Sequence, residues 1–256
     1  MSHWASRGVV VVQPCHADAF SEVIQRYPGL GLSIEDRFTH WQKDSLTQGL
    51  FLSFVMDPVH RETRLTEVAD VLRRVEQIAA KAGFAGSIEP QRIAVGGHSY
   101  GAMTTAAFAG VPIDLLSGRA QQLRPRPLAG ALMLSPPAPG SAGLNRDGWS
   151  KVGMPLMMLT GTLDVSAANT DPTTRTDAFR LCEPGGRYLA VMDDCDHGFG
   201  GISFTGRKHV RESAEIRRSV ISMTSAFWEA ILLQNDTAME WLRCGPMDPA
   251  ISYRGK

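Results

Sequence analysis

A single serine, Ser99, stands in the spacing of small residues that nucleophilic catalysis requires. Gly97, Ser99 and Gly101 form a G-x-S-x-G pattern. An apolar run at 92–95 precedes the pattern, and small residues suited to a closely packed helix follow it at 102–109. Because a serine at the apex of a sharp turn needs small neighbours on both sides, this strand–turn–helix setting predicts a nucleophile elbow. The alternative is an ordinary structural turn.

The residue after the serine provides a second part of the predicted chemistry. A helix that begins at Tyr100 directs its first backbone N–H groups towards the space beside the Ser99 hydroxyl. Negative charge that develops on a substrate oxygen there is stabilised by such donors. We therefore predict that the Tyr100 N–H binds an oxyanion.

A serine hydroxyl is a weak nucleophile at neutral pH and needs an imidazole to accept its proton, with a carboxylate to orient that imidazole. Asp164 and His197 each lie just past a predicted strand. Open α/β sheets place their sites at this carboxyl edge. The chain order of serine, aspartate and histidine is also one that catalytic triads use. Asp164 is therefore the predicted acid and His197 the predicted base.

Other residues compete for these two roles. His209 is the alternative base, and Asp171 or Asp177, in the connection that follows Asp164, is the alternative acid. Either aspartate could equally be a surface or helix-capping carboxylate. Three further aspartates are too near His197 in sequence to orient it easily, and we expect them to form a solvated acidic loop: Asp193, Asp194 and Asp196.

Two further histidines are candidate substrate-binding residues. His98 is next to the nucleophile, although the geometry of a sharp turn points its side chain away from Ser99. His16 follows an N-terminal apolar run and could line the same cleft. No metal ion or organic cofactor is implied by this set of residues.

The elements that must position these residues alternate along the chain. Strands alternating with helices predict a mostly parallel, doubly wound sheet with helices on both faces. Residues 19–60 are mixed, and we expect short helices and loops there. At 256 residues, a single α/β domain over 1–256 is expected. The predicted strands are 8–13, 92–96, 129–134, 155–160 and 187–192, and the predicted helices are 63–82, 173–181, 211–233 and 236–242.

Composition excludes several classes of function. The formal net charge is zero, so nothing indicates binding to nucleic acid or to an anionic membrane. The four cysteines lack metal-ligand spacing and are expected to be buried free thiols. We expect no integral membrane segment, because no apolar run is long enough to span a bilayer. A secretory signal is not recognisable either, and a cytoplasmic location is expected.

The chain resembles the α/β-hydrolase superfamily, and within it the serine esterases similar to dienelactone hydrolase, platelet-activating factor acetylhydrolase, chlorophyllase and polyesterases. The resemblance implies a carboxylic ester hydrolase that forms an acyl-enzyme on Ser99 and acts on a small-molecule or lipid-like ester. A catalytically weak protein that only binds, or a thioesterase or peptidase, is the alternative on this fold. The segments that resemble the family are ASRGVVVVQPCHAD at 5–18, RIAVGGHSYGAMT at 92–104, LTGTLD at 159–164, DHGFGG at 196–201 and SMTSAFWEAILLQNDTAMEWL at 222–242.

One departure from the family concerns the N-terminus. In the family, the segment resembling 5–18 is the fourth strand, and the strand before it carries a loop with the second oxyanion N–H. We expect an N-terminally shortened version of the fold, which could also have lost an export signal. Alternatively, 8–13 occupies the missing position and 14–18 becomes the oxyanion loop, or the sheet has a gap. Because a buried strand needs partners on both sides, we expect the shortened chain to be unstable or to aggregate.

Overall fold

The computed structural model of the protein describes residues 2–17, 22, 25, 28–30, 49, 53, 56–116, 120–121, 123, 125–166, 168–202 and 212–256. Most of the predicted short helices and loops of 19–60 lie outside these residues, as does the alternative base His209. Within the part of the chain described, every helix is too short or too polar to cross a lipid bilayer.

A five-stranded sheet organises the described residues. In chain order the strands are β1 (Val95–His98), β2 (Ile113–Asp114), β3 (Ala120–Gln121), β4 (Ala131–Leu134), β5 (Leu156–Leu163), β6 (Arg187–Asp196) and β7 (Ile251–Gly255). The main sheet has the order β1-β4-β5-β6-β7, while β2 and β3 form a separate antiparallel pair. Its first three pairings are parallel, and β7 is antiparallel to β6. The edge strand β7 was not predicted, since its five residues carry little apolar signal.

Helices follow the strands as the alternation predicts. The helices that the structure describes over their full length are α1 (Ser2–Ala5), α2 (Pro58–Lys81), α3 (Tyr100–Phe108), α4 (Asp177–Leu181), α5 (Ala214–Leu232) and α6 (Asp236–Cys244). Three short 3-10 helices lie at Pro28–Leu30, Arg146–Lys151 and Pro172–Thr176. Helix α2 begins earlier than predicted because Asp57 caps it, accepting a 2.7 Å hydrogen bond from the Val59 N–H, and Pro58 suits its first turn.

Side chains alternate between two apolar layers, one on each face of the sheet. On one face Met133 and Met158 pack with α2 and α3, through residues such as Leu65 and Phe108. On the opposite face lie Leu132, Met157 and Leu159, which pack with Val220, Met223 and Phe227 of α5. Such two-sided burial is typical of parallel sheets. The predicted α/β architecture, a mostly parallel sheet with helices on both faces, is confirmed.

The predicted strand at 8–13 is wrong, because none of residues 9–16 is in a strand. Gly8, at φ +85°, closes a turn after α1 in which the Val9 N–H donates to Trp4 O at 3.3 Å. Val9 and Val12 are half-buried against opposite apolar layers. The β-branched run thus predicted burial correctly. A strand also requires a paired neighbouring strand, and the local sequence does not show whether one is present. Among the described residues β1 pairs only with β4.

The cysteines divide between the interior and the surface. Cys182 and Cys195 are buried free thiols, as predicted. Cys15 and Cys244 are exposed, so the prediction is wrong for these two. The first lies in the loop that follows the N-terminal apolar segment, and the second is the last residue of the surface helix α6.

Candidate active site

The turn between β1 and α3 holds Ser99 in a backbone conformation that residues other than glycine rarely adopt. Its φ and ψ are 56° and −114°, and its N–H donates to Leu134 O at 2.9 Å. A Cβ added at Gly97 would lie 2.3 Å from Gly101 O, whereas one added at Gly101 would meet nothing within 4 Å. The close approach of strand β1 and helix α3 therefore requires glycine at position 97. Position 101 has room for a side chain.

Three side chains from the ends of three parallel strands meet at this turn. Ser99 follows β1, Asp164 follows β5 and His197 follows β6. The His197 Nε2 lies 2.9 Å from Ser99 Oγ, and its Nδ1 lies 2.6 Å from Asp164 Oδ1. The structure thus brings the predicted nucleophile, base and acid into one chain of hydrogen bonds.

Asp164 is fully buried, and polar groups hold its carboxylate. Ser135 donates a 2.5 Å hydrogen bond to Oδ2, and Thr160 donates one of 2.8 Å to the same oxygen. The Arg175 Nε lies 3.1 Å from Oδ1. With His197 on Oδ1 as well, both carboxylate oxygens are held in place, which orients the group towards the imidazole.

Two opposing effects set the charge of Asp164. Burial by itself raises the pKa of this carboxyl, but the hydrogen bond with His197 and the charge of Arg175 outweigh burial. The pKa of Asp164 is therefore lowered, and the group is ionised at neutral pH. Burial lowers the pKa of Arg175 while Asp164 raises it, and a guanidinium in such a pair stays charged.

Arg175 connects the loops that follow β4 and β5. It lies in the 3-10 helix Pro172–Thr176 and is buried. The guanidinium donates to Asp164 O at 2.9 Å and to Ser166 Oγ at 3.1 Å. It also donates to the carbonyl oxygens of Ser135 and Pro136, at 3.3 and 3.2 Å. One side chain therefore fixes both the acid and the serine that supports it.

Sequence reasoning missed Ser135, Thr160 and Arg175. Ser135 directly follows a predicted strand, the same signal that singled out Asp164 and His197, and it could have been found that way. Thr160 lies within β5 and looks like an ordinary β-branched strand residue. Nothing in the local pattern distinguishes Arg175 from the exposed arginines around it.

His98, the residue before the nucleophile, contacts His197 and Phe199. Its Nε2 is 2.9 Å from the His197 carbonyl oxygen, and its ring contacts the rings of His197 and Phe199 at centroid distances of 4.7 and 5.6 Å. Burial, with a contribution from the nearby His197, lowers the pKa of His98 to about 3. The ring is thus engaged by the protein itself, and the predicted part of His98 in substrate binding stays a prediction.

His16 lies beside helix α2. Its Nδ1 is 2.7 Å from Glu67 Oε2, and the neighbouring Ala17 N–H donates to Glu67 Oε1 at 3.1 Å. Glu67 is one helical turn from Arg64, whose guanidinium lies 4.6 Å from the centre of the Tyr100 ring. A shallow cavity of about 250 Å³ adjoins His16. The proposed part of His16 in substrate binding stays a prediction.

The alternative acids make local contacts. Asp171 caps the 3-10 helix, accepting from the Thr173 N–H at 2.9 Å, and Asp177 pairs with Arg180 at 2.8 Å on the surface. The three aspartates before His197 belong to the end of β6, so the predicted loop is wrong, although Asp193 and Asp194 are exposed to solvent as predicted. Strand β6 continues past its apolar part because it pairs with β5 as far as Asp196.

The similarity of this chain to known proteins is confined to solved structures. No protein-family model matches the chain, and no curated protein is similar to it. The solved structure of Thermogutta terrifontis esterase 2 phosphorylated by paraoxon is similar, at 17% identity and a TM-score of 0.41, covering 65% of this chain and 64% of that one. The propionate-bound form of this esterase from a Planctomycetes species gives 19% identity and a TM-score of 0.40, with 64% of each chain covered.

The chain therefore spans less than two thirds of the length of these two solved structures. Their likeness is too low to transfer any chemistry. The activity of this protein is accordingly inferred from its own residues.

Proposed function

We propose that the protein is a serine hydrolase that cleaves carboxylic esters. The observation that carries this proposal is the chain of contacts from Ser99 Oγ to His197 Nε2, at 2.9 Å, and from His197 Nδ1 to Asp164 Oδ1, at 2.6 Å. Serine, imidazole and ionised carboxylate in this order form the arrangement that activates a hydroxyl for acyl transfer.

In the proposed reaction His197 accepts the Ser99 proton while Ser99 Oγ attacks the acyl carbon. The tetrahedral intermediate carries its negative charge on the former carbonyl oxygen, and the Tyr100 N–H at the start of α3 stabilises it. Collapse expels the alcohol, which takes the proton from His197 and leaves an acyl group on Ser99. Water activated by His197 then releases the acid and regenerates the serine.

Exposed apolar residues close in sequence to Asp164 and His197 favour a small-molecule or lipid-like ester as substrate. Leu163 and Val165 flank Asp164 in the chain and are 45% and 49% exposed. Ile202, in the turn after His197, is 39% exposed. Ligand sites are lined mostly by apolar side chains around a few polar groups.

Within the hydrolases, we propose the branch that resembles dienelactone hydrolase, platelet-activating factor acetylhydrolase and the chlorophyllase-like and polyesterase-like esterases. The support is the sequence around three site residues, namely GGHSYGA at Ser99, LTGTLD at Asp164 and DHGFGG at His197.

A fluorophosphonate probe tests the proposed function. We expect covalent labelling of the wild type on Ser99, located by peptide mass spectrometry, and no labelling of a folded Ser99→Ala variant. A series of p-nitrophenyl esters of increasing acyl length then defines the substrate, with acyl thioesters and peptide amides assayed beside it. Folded wild type that neither labels nor turns over any of these would show a binding protein instead.

A further inference from the structure

We propose that His98 is a positioning residue, which holds the loop that carries His197 against the end of β1 and so sets the distance between Ser99 and its base. The inference rests on the proposed function, in which that distance governs proton transfer. His98 immediately precedes Ser99, so a contact made by His98 is transmitted directly to the nucleophile.

The topology explains why such a link is needed. Strands β4 and β5 lie between β1 and β6, so Ser99 and His197 start from strands separated by about 14 Å at the usual interstrand spacing. The segment after β6 must therefore reach back across the ends of two strands. The 2.9 Å contact of His98 Nε2 with the His197 carbonyl oxygen joins the two ends directly.

Helix α5 holds the turn of this loop. Phe199, Gly200 and Gly201 have φ values of 51°, 65° and 93°, so the loop turns sharply. The Gly200 carbonyl accepts a 2.6 Å hydrogen bond from Arg217 of α5. At the near end, the contact of His98 with the backbone of His197 is reinforced by the edge-on packing of Phe199 against the His98 ring. The loop is thus anchored at His197 and Phe199 by His98 and at Gly200 by Arg217.

A neutral imidazole is well suited to this task. A carbonyl oxygen is an acceptor, so the Nε2 of His98 carries a proton and donates it. The neighbouring His197 must become a cation during the proposed reaction, and a second positive charge 4.7 Å away would oppose that step. Because the pKa of His98 is lowered to about 3, His98 donates without introducing such a charge.

Two substitutions separate the hydrogen bond from the packing of the ring. His98→Phe keeps an aromatic ring but has no donor, whereas His98→Gln places an amide N–H near the position of the imidazole Nε2–H. We expect kcat for a p-nitrophenyl ester to fall by about 10–100-fold in His98→Phe with KM nearly unchanged, because a misplaced base slows chemistry more than binding. His98→Gln should restore most of kcat. His3→Phe, a histidine substitution on the N-terminal helix α1, is the matched control and should behave like the wild type.

Hydrogen exchange of residues 197–202 gives a second measurement that does not depend on turnover. We expect faster exchange of this segment in His98→Phe and wild-type exchange in His98→Gln. If His98→Phe does not unfold cooperatively, His98→Met, which has the length of glutamine without its N–H, takes its place.

Wild-type kcat or wild-type exchange in the donor-free variant would overturn the proposal. A His98→Gln variant as slow as His98→Phe would overturn it as well. If the wild type itself neither labels nor turns over, the proposed function fails, and the exchange data alone decide whether His98 holds the loop.

Discussion

The Arg175 Nε and the His197 Nδ1 share one oxygen of Asp164, at 3.1 and 2.6 Å. The oxygen that orients the imidazole therefore also faces a buried guanidinium. This arrangement keeps Asp164 ionised although it is fully buried, because the hydrogen bond with His197 and the charge of Arg175 compensate for the lost hydration. It also ties the orientation of the acid to the 3-10 helix that follows it in the same connection, between β5 and α4.

The three proposed triad residues should act as a unit. Ser99→Ala, His197→Ala and Asp164→Asn should each reduce kcat by about 10⁴-fold or more, and double variants should lose little beyond the worst single one. Steady-state kinetics with a p-nitrophenyl ester, together with a circular dichroism check of folding, tests this. Asp171→Asn is the control, because that carboxylate caps a 3-10 helix. An active His197→Ala variant would move the base assignment to another histidine, His209 being the alternative.

Loss of the Arg175 charge should affect both stability and rate. Arg175→Met leaves Asp164 without its cation, and breaking a buried pair in this way costs about 3–5 kcal/mol. Arg175→Lys restores the positive charge but not the several N–H donors of the guanidinium, so it should recover part of the lost stability and kcat. Urea unfolding and kcat measure the two effects. Arg180→Met is the matched control, since the exposed pair of Arg180 with Asp177 contributes about 0–1 kcal/mol. Equal effects of the two methionine variants would contradict the role of Arg175.

The two glycines of the elbow should respond differently to alanine. Gly97→Ala would place a Cβ 2.3 Å from Gly101 O, so the turn must distort, and we expect loss of both probe labelling and stability. Gly101→Ala meets nothing within 4 Å and lies in helix α3, where alanine is favoured over glycine by about 1 kcal/mol. Thermal unfolding of both variants beside the wild type is the measurement. A more stable Gly97→Ala protein would rule out the close strand–helix approach.

His98 should make the protein less stable in acid. The pKa of His98 is lowered from 6.5 to about 3 in the folded state, so below pH 6.5 the unfolded chain binds a proton that the folded protein does not. Its contribution to stability is complete above pH 6.5 and is lost as the pH falls towards 3. At pH 5 the loss relative to pH 7 is about 2 kcal/mol.

Urea unfolding at pH 7 and pH 5 measures this effect in the wild type and in His98→Gln. The glutamine variant, which does not titrate, should lose less stability between the two pH values. The other titrating groups are common to both proteins and cancel in the comparison. Parallel losses in the two proteins would show that His98 titrates normally in the folded state.

Much of this protein was predictable because the relevant signals are local. The periodic apolar residues of α2 and α5, and the glycine spacing around Ser99, reflect constraints that act within a few residues. Chain order and position after strands also singled out Asp164 and His197, because parallel strands end at a common edge.

Tertiary structure alone decided which groups support those residues. Arg175 reaches the carbonyl of Ser135 across 40 residues of sequence, and His98 reaches His197 across 99. The tertiary structure also decided that residues 8–13 form no strand. A strand requires a paired neighbour, whereas the apolar pattern of these residues indicates only that they are buried. Hydrogen bonds between distant residues depend on the order of strands in the sheet and on buried charge. Neither of these produces a periodic pattern in the neighbouring sequence, so local sequence does not predict them.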